Sequence, residues 1–585
     1  MAVAGAIALV GVASHGLSAV ALMFFGAACA VGFVGTGSHR TRLIALAAQG
    51  SGAAAGLGLG AIGASSDAGK VIVAAAVGLL SGMLGAIGRL VTAFALMAVI
   101  GVAYAQFGGV PLPWYEQAGW YLLGTTLASA AEILPLRSRR RDYERSSVAA
   151  VFDAAADLLD AIGTSEASSK RSALAAASAV SRDAMADHRV LPARAGPRSS
   201  PIHVQMQGSQ HVALAAAACY GQGAAVPGEA VKAVRDAGSA VRLGERVRPA
   251  PFAADSLWLQ SLSTALGVSA GDVAADDARL PGLAGRLRSA ARTATEGAAV
   301  LAGIRLAWCM ALATALTFVL HQRSHSYWLP LTVAVVVRPE YASVFVRTVN
   351  RVIGTIGGAV LAAIALLVLP SGGVVAVAAT LSIGWAVLSA PKLYALSVIG
   401  ITGSALLSAS IGSEDPVYPA LRLLDTLAGC AIAVVFGFLL WPGRHTLPFA
   451  ARPSRAAADA VAYLRQAAVA PGERYGWPAV RDQAYVSVHL YRASVQAALA
   501  DPPPISTSAA AALADAVALE DVVDAISALD DGVRNGVPPP APADTEALAA
   551  QINLLANGDD TARPDVVMAH VTQLAGGKDG AVRVQ

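Results

Sequence analysis

The stretch that decides the fold is His325-Ser-Tyr-Trp-Leu-Pro-Leu-Thr-Val-Ala-Val-Val-Val-Arg-Pro-Glu-Tyr341. It runs from an aromatic end through an apolar centre to an Arg-Pro-Glu end. A second apolar run follows, and it opens with Arg347 and Arg351. Arginines at the edge of an apolar run are typical of a segment that enters a membrane and meets charge at its surface. The stretch therefore predicts a membrane protein with a candidate site where the second run begins.

Composition supports a membrane environment for much of the chain. Of its 585 residues, 55% are hydrophobic and only 14% are charged, whereas soluble proteins average about 25% charged residues. The net charge of +3 is too small to indicate a nucleic-acid partner. The four cysteines lack metal or redox spacing. No ligand cluster or catalytic set is visible, so we expect no metal, no cofactor and no enzymatic activity.

Apolar and mixed segments alternate along the chain. Residues 1–136 and 296–442 are almost wholly apolar, whereas 137–295 and 443–585 mix alanine with charged and hydroxyl residues. A helix needs roughly 20 apolar residues to cross a bilayer core of about 30 Å. On that scale each apolar block offers six spans. The first block offers 2–14, 17–36, 43–63, 71–87, 90–107 and 117–136, and the second offers 299–320, 327–337, 352–369, 373–390, 393–411 and 418–441. The segments 2–14 and 327–337 are short for a full crossing.

The mixed blocks have helical periodicity and little strand-like alternation. In the stretch 151–161, Val151, Ala155 and Leu158 share one helical stripe and Asp153 lies off it, and 482–499 and 507–530 repeat this style. Both mixed blocks therefore predict small helical bundles. The predicted fold class is all-α throughout.

The two apolar blocks resemble each other, which predicts a tandem repeat. Arg42-Leu-Ile opens a span as Arg351-Val-Ile does, and each block closes with a final span and a Pro-Arg exit. We expect a polytopic membrane protein of two tandem six-helix transmembrane repeats, about 12 spans, each followed by a cytoplasmic helical domain. Arginine-rich turns alternate with less basic ones, so the positive-inside rule places both helical domains and both termini in the cytoplasm.

The helix that follows Pro339 carries the strongest candidate site. Counting from Glu340, Arg347, Arg351 and Thr355 follow at steps of seven, four and four residues, so all lie on one helical stripe. An arginine presents a planar fork that matches a carboxylate. The stripe therefore predicts a cytoplasmic vestibule for a small organic anion. The alternative is that the arginines only contact lipid headgroups.

The segment before that helix contributes four further candidates for substrate contact. Tyr327 and Trp328 lie at its outer end, where aromatic side chains commonly form an interfacial belt. Thr332 lies one turn further in, and Arg338 adds a guanidinium at the inner end. We assign these residues to substrate binding, and the aromatic belt is the alternative for the first two.

Arg422 and Asp425 are spaced i and i+3 in the last predicted span. Charged residues at membrane depth are rare, usually paired and often functional. The pair predicts a proton or anion relay, with Glu340 as a second candidate for proton coupling. The alternative is a self-satisfied ion pair near the outer interface.

The quoted motifs resemble the signature of the fusaric acid resistance family, which is related to bacterial aromatic acid exporters. The resemblance rests on Tyr327-Trp-Leu-Pro-Leu-Thr332, Arg338-Pro-Glu340, Gly354-Thr355 and the Arg422-x-x-Asp425-Thr426 run, and it covers about residues 299–445. It implies an inner-membrane protein that exports aromatic or other organic acids with the proton gradient. Plant malate-activated anion channels are more distantly similar.

The leading hypothesis is therefore a proton-coupled exporter of organic carboxylates in the lipid bilayer. In it, the two arginines of the stripe collect the anion, and the outer aromatic pair contacts the ring. A passive anion channel is the first alternative, and a homodimer is left open. A non-transporting scaffold that recruits partners through its cytoplasmic domains is the second.

Overall fold

The chain is helical wherever its structure is described. The computed structural model describes residues 17–32, 39–108, 110, 112–133, 142–190, 201–223, 226–271, 283–320, 328–337, 344–369, 373–389, 394–410, 418–440, 452–470, 477–500, 503, 505–534, 536–557, 566–567 and 570–571. These ranges contain helices and turns but no strand, so the predicted all-α fold class is confirmed. The predicted first span at 2–14 lies outside the described residues.

Eleven helices lie in the described part of the chain up to residue 295. In chain order they are α1 (Leu17–Gly32), α2 (His39–Ile62), α3 (Asp67–Leu84), α4 (Arg89–Phe107), α5 (Trp114–Ile133), α6 (Asp142–Ala161), α7 (Ala167–Val190), α8 (Pro201–Gln222), α9 (Gly228–Leu243), α10 (Leu257–Ala270) and α11 (Leu283–Thr295).

Ten further helices lie in the described part of the remaining chain. They are α12 (Gly297–Val319), α13 (Trp328–Val336), α14 (Val344–Val368), α15 (Gly373–Ser389), α16 (Tyr394–Ser410), α17 (Tyr418–Val434), α18 (Arg452–Ala467), α19 (Trp477–Ala498), α20 (Ile505–Arg534) and α21 (Pro542–Ala556).

These helices form two compact units, and each unit combines two separate stretches of chain. We call the first the membrane unit, which joins Met1–Ser138 to Pro281–His445. The second, the polar unit, joins Arg139–Leu280 to Thr446–Gln585. The two apolar blocks thus pack on each other, and the two mixed blocks do the same.

The membrane unit has the apolar helices of a multi-pass membrane protein. Five helical segments among the described residues are long and apolar enough to cross a bilayer: Arg42–Ile62, Asp67–Leu84, Leu90–Phe107, Ala299–Val319 and Thr348–Val368. Three shorter apolar segments accompany them: Val377–Ala386, Ala395–Leu407 and Leu424–Gly437. The predicted count of twelve spans is therefore not confirmed.

Glycines bring α2 and α4 into backbone contact in the first apolar block. A methyl group on Gly52 would lie 2.2 Å from the carbonyl oxygen of Phe94, and one on Gly56 would lie 2.1 Å from that of Ala98. Only a residue without Cβ permits this approach, as in other small-xxx-small helix contacts. Beyond this contact, α1 packs on α5, α2 also packs on α5, and α3 packs on α4.

The second apolar block repeats this order of helix contacts. Helix α14 packs on α16 and α17, α13 packs on α17, and α15 packs on α16. A methyl group on Gly354 or Gly358 would lie 2.7 Å from the carbonyl oxygen of Ala395 or Ile399, respectively. In both blocks, two glycines four residues apart meet two carbonyls four residues apart.

Helix α13 lies at the centre of the membrane unit. All nine of its residues are buried, and at a rise of 1.5 Å per residue it is about 13 Å long, too short to cross a bilayer alone. It packs on α4 and α12 as well as α17. One hydrophobic cluster joins Leu329 and Val333 to Val102 and Met310. The apolar centre of the stretch 325–341 therefore lies in the core of the membrane unit.

The polar unit is built around α20, which has 30 residues. This helix packs on α8 and α10 from the first mixed block and on α18, α19 and α21 from the second. Helices α6 and α9 add a core in which Val151, Phe152 and Leu158 are fully buried. Because α20 has neighbours from both blocks, most of its faces are buried.

Candidate functional site

Helix α14 has one outward apolar face and one inward polar face. Its outward side carries Ile353, which is 55% exposed, together with the exposed side chains of Val360 and Ile364. On the opposite side, Arg351 is only 3% exposed and Thr355 is fully buried. An apolar exposed face on a helix of spanning length suits contact with lipid. The guanidinium of Arg351 therefore points into the protein.

The glycines of α14 explain locally why this polar side faces inward. Gly354 and Gly358 sit three and seven residues after Arg351, on the same side of the helix. Their contact with the α16 backbone fixes that side against the neighbouring helix. Thr402 of α16 is the side chain nearest to Gly358, since a methyl group there would lie 2.7 Å from its Cβ.

Several buried polar atoms on α13, α14 and α16 have no hydrogen-bond partner among the residues that the structure describes. They are Arg351 Nε, Thr355 Oγ1, Thr332 Oγ1, Thr402 Oγ1 and Ser404 Oγ. An unsatisfied buried polar group costs about 1–3 kcal/mol, and more when it is charged. Such a concentration is expected where water or a ligand completes the contacts.

Helix α17 places its own polar residues beside this group. Asp425 and Thr426 are buried on it, and one turn further Gly429 contacts α13, because a methyl group there would lie 2.9 Å from Thr332 Cβ. A π-helical turn at Val435–Leu439 follows α17 directly. Turns of this kind interrupt regular helix pairing and often occur at functional sites.

The structure brings some of the predicted site residues together and leaves others undescribed. Arg351, Thr355, Thr332 and Asp425 lie on helices that pack on one another. The remaining predicted residues cannot be placed in this way. Tyr327, Arg338 and Glu340 lie outside the described residues, and Arg347 and Arg422 lie on α14 and α17 with side chains outside the described part.

Trp328 does not lie at a membrane-facing surface. It is 6% exposed, within a hydrophobic cluster that includes Leu57, Tyr104 and Tyr121 of the first apolar block. This burial disfavours the aromatic-belt alternative for this residue, and its assignment to substrate binding stays a prediction. The reason for the burial is that α13 is a central helix, so both of its ends are covered by neighbours.

Sequence reasoning missed several buried polar residues of the membrane unit, among them Thr402, Ser404 and Gln49. Thr402 and Ser404 are isolated hydroxyls in an apolar run, where they give no pattern. Gln49 is 1% exposed, and it precedes Gly52 and Gly56 by three and seven residues, as Arg351 precedes Gly354 and Gly358. That shared spacing is the sequence signal from which the burial of Gln49 could have been predicted. By the register of these glycine contacts Arg351 corresponds to Gln49 and not to Arg42, so α2 has an uncharged side chain where α14 has arginine.

No group of three or more His, Cys, Asp or Glu side chains with metal-binding geometry occurs in the described part of the chain. The four cysteines are buried free thiols.

Comparison with known proteins identifies one part of the membrane unit. Residues 299–436 match the model of the family described as fusaric acid resistance protein-like, which confirms the resemblance seen in the sequence over this segment. The match begins in α12 and ends in the π-helical turn after α17. It therefore contains every described residue of the candidate site except Gln49.

Two curated relatives share a short similar region with this chain. One is the uncharacterized protein YhfK of Escherichia coli (strain K12), 30% identical over 142 residues, which are 24% of this chain and 20% of the relative. The other is the uncharacterized protein slr1298 of Synechocystis sp., 28% identical over 149 residues, 25% of this chain and 20% of the relative. The chain thus matches about a fifth of the length of each relative. No solved structure matches it.

Proposed function

We propose that this protein transports small organic anions, and carboxylates in particular, through its membrane unit. The observation that carries the proposal is the buried guanidinium of Arg351, on the inward face of a helix long and apolar enough to cross a membrane. Its Nε has no hydrogen-bond partner among the described residues. The segment around it matches the fusaric acid resistance protein-like family.

The electrostatics favour an anion as the missing partner. Removing a charged group from water costs several kcal/mol, and the cost is offset only when an opposite charge and hydrogen bonds replace the water. A carboxylate accepts two parallel bonds from a guanidinium fork. The buried hydroxyls of Thr355 and Thr332 can donate to further oxygens of the same ligand.

The finer mechanism follows from the residues around this centre. In our proposal, Arg347 and Arg338 collect the anion at the cytoplasmic side, Arg351 holds it, and Glu340 or Asp425 exchanges the coupling proton. Acidic side chains at membrane depth are common components of proton relays.

The proposed architecture is a tandem six-helix repeat of about twelve spans in the inner membrane, with the polar unit and both termini cytoplasmic. The recurring helix contacts and paired glycines of the two apolar blocks support the repeat. The charged centre occurs in the second block, where α14 carries Arg351. This asymmetry favours one anion site per chain.

Efflux from loaded proteoliposomes tests the proposal. Purified full-length protein is reconstituted with a panel of labelled aromatic and aliphatic carboxylates inside, with and without an imposed pH gradient. We expect saturable release that depends on the gradient and is lost in Arg351→Ala. The matched control is Arg288→Ala, a substitution on α11 outside the candidate site.

Each alternative has its own outcome in the same experiment. Release that follows the membrane voltage and ignores the pH gradient would indicate a passive anion channel. Normal flux in Arg351→Ala would remove this residue from the mechanism. No release of any anion would contradict transport and favour a scaffold that acts through the polar unit.

A further inference from the structure

The polar unit contains a cavity of about 120 Å³ that the transport proposal does not use. It lies between α8 and α10 from the first mixed block and α18, α19 and α20 from the second. A cavity of about 150 Å³ holds a ligand the size of benzene. This cavity, which is somewhat smaller, therefore fits a molecule of roughly five or six heavy atoms.

The two walls of the cavity differ in chemistry. The side formed by α8 and α10 combines five apolar residues with three polar ones: Leu214, Ala215, Ala218, Ala265 and Val268, and His211, Ser261 and Thr264. The opposite side is charged and carries Arg481, Asp530, Asp531 and Arg534. The formal charges of these two positive and two negative side chains sum to zero. A ligand without net charge leaves that sum unchanged.

Asp531 supplies the clearest sign of a missing ligand. The residue is 9% exposed, and its Oδ1 accepts a hydrogen bond from Arg534 at 3.0 Å. The other oxygen, Oδ2, is buried and has no hydrogen-bond partner among the described residues. A carboxylate oxygen in this position is an acceptor that a cationic donor such as an ammonium group would satisfy.

The positive side of the cavity is provided by Arg481. Its Nε and Nη2 atoms both donate to one oxygen of Asp482, at 3.2 and 3.1 Å. The Arg481 side chain is 11% exposed, whereas that of Asp482 is 59% exposed, so this arginine lies inside the fold and its partner faces solvent. A guanidinium has five N–H donors in a planar fork, and it can add a ligand carboxylate to this contact.

We propose that this cavity binds a small zwitterionic amino acid. The ammonium group lies against Asp531 Oδ2, the carboxylate against Arg481, and a short aliphatic side chain against the alanine wall of α8 and α10. The polar unit is thereby a ligand-binding domain, distinct from the anion site of the membrane unit.

The pKa of Asp531 is consistent with an absent cation. Burial raises the pKa of this carboxyl above its usual value, against the lowering effect of Arg534 and the Ser261 hydroxyl. Desolvation disfavours the ionised form of a carboxyl. An ammonium group at Oδ2 would favour the carboxylate and supply the charge that burial penalises.

Binding to the full-length protein in detergent tests the proposal without any transport assay, so its failure is distinguishable from failure of the transport proposal. Glycine and L-alanine are compared by isothermal titration calorimetry and thermal shift with propionate, which lacks the amine, and propylamine, which lacks the carboxylate. We expect saturable binding of an amino acid, and at least tenfold weaker binding of both analogues.

Two variants and a control locate the binding. Asp531→Asn keeps the shape of the side chain and should weaken amino-acid binding at least tenfold. Ala218→Leu fills part of the apolar wall and should abolish it. Asp236→Asn, on the exposed face of α9 away from the cavity, should bind as the unaltered protein does. A cooperative thermal transition without ligand shows that each variant is folded.

Three results would overturn the proposal. They are no binding of any amino acid, equal binding of propionate and alanine, and full binding by Ala218→Leu. The first would mean that the cavity holds water only.

Discussion

Arg171 and Asp524 form a buried two-bond ion pair although they lie 353 positions apart. Nη2 of Arg171 donates to Oδ1 of Asp524 at 2.6 Å, and its Nε donates to Oδ2. The two side chains are 4% and 0% exposed. The pair joins α7 of the first mixed block to α20 of the second, so it ties the two halves of the polar unit together.

Neighbouring hydroxyls and charges complete this contact. Tyr485 donates to Asp524 Oδ1 at 3.0 Å and lies 2.8 Å from Ser527 Oγ. Burial opposes the charge on Arg171, but the Asp524 carboxylate outweighs it and raises the pKa of Arg171 above its usual value. Arg171 therefore stays charged at neutral pH, and each side chain supplies the other's buried partner.

Replacing Arg171 should destabilise the polar unit strongly. Removal of one member of a buried ion pair leaves an uncompensated charge and typically costs about 3–5 kcal/mol. We expect Arg171→Met to lower the thermal midpoint of the full-length protein in detergent. Hydrogen exchange should show faster opening of α7 and α20, while α2 and α4 of the membrane unit keep their protection.

The neighbouring residue provides a control for that prediction. Lys170 pairs with Asp157 at 3.7 Å on the surface, with both side chains more than a third exposed, and surface pairs contribute about 0–1 kcal/mol. Lys170→Met should therefore have little effect. The double variant Arg171→Met with Asp524→Leu should recover part of the loss. Equal stability of Arg171→Met and Lys170→Met would contradict the role of the buried pair.

Asp521 should make the stability of the polar unit depend on pH. Burial, together with the Asp524 carboxylate, raises the pKa of this carboxyl from 3.8 to about 7, although Arg171 and Arg492 act in the opposite direction. The folded state therefore holds the proton to higher pH than the unfolded state does. Its stabilising effect is complete below about pH 4 and is lost as the pH rises through 7.

Asp521→Asn removes this loss, because the amide is neutral at every pH. We expect the variant to gain stability at pH 8 relative to the unaltered protein, by a few kcal/mol at most, since each pKa unit corresponds to about 1.4 kcal/mol. Near pH 4.5 the gain should be much smaller. Thermal midpoints at both pH values measure it. Asp236→Asn on exposed α9 is the control, and a gain that does not change with pH would contradict the prediction.

The acidic residues of α20 show where sequence reasoning fails. The sequence predicts an amphipathic helix at 507–530 with its acids off the apolar stripe, yet Glu520, Asp524 and Asp530 are all at most 2% exposed. The partner of Asp524 is Arg171 on α7 and a partner of Glu520 is His489 on α19, whereas Asp530 pairs with Arg534 of α20 itself. Periodicity describes a helix in isolation, so it cannot show that α20 is enclosed by helices of both mixed blocks. By contrast, the inward stripe of α14 was predictable, because glycines and polar residues share one helical face.

The two adjacent glycines of α14 should respond differently to the same substitution. A methyl group on Gly358 would lie 2.7 Å from the Ile399 carbonyl oxygen, a backbone atom that cannot move aside. On Gly357 it would lie 3.2 Å from Cδ1 and Cγ1 of the Ile399 side chain, which can rotate. Overpacking of a tight contact costs about 1–3 kcal/mol. We expect Gly358→Ala to lower the thermal midpoint in detergent and Gly357→Ala to leave it nearly unchanged.

A third glycine separates packing from the general effect of alanine in a helix. Gly384 on α15 has no atom within 4 Å of where a methyl group would lie. Alanine stabilises a helix relative to glycine by about 0.5–1 kcal/mol, so Gly384→Ala should be neutral or slightly stabilising. Equal thermal midpoints for Gly358→Ala and Gly384→Ala would mean that α14 and α16 are not in backbone contact.

Gln49 and Arg351 occupy corresponding places before the paired glycines of the two apolar blocks. Substitutions at these two positions therefore test whether both blocks, or only the second, carry the transported anion. Arg351→Gln gives α14 the side chain that α2 already has. It removes a charge-assisted contact worth about 1.5–3 kcal/mol, so the initial rate of carboxylate efflux below saturation should fall roughly 10- to 100-fold. Gln49→Leu removes only a neutral group, and we expect its rate to change less than threefold. The rates are normalised to the amount of folded protein in the liposomes. If two equivalent sites carried the anion, the two variants would lose flux to the same extent, and a single charged centre on α14 would then be untenable.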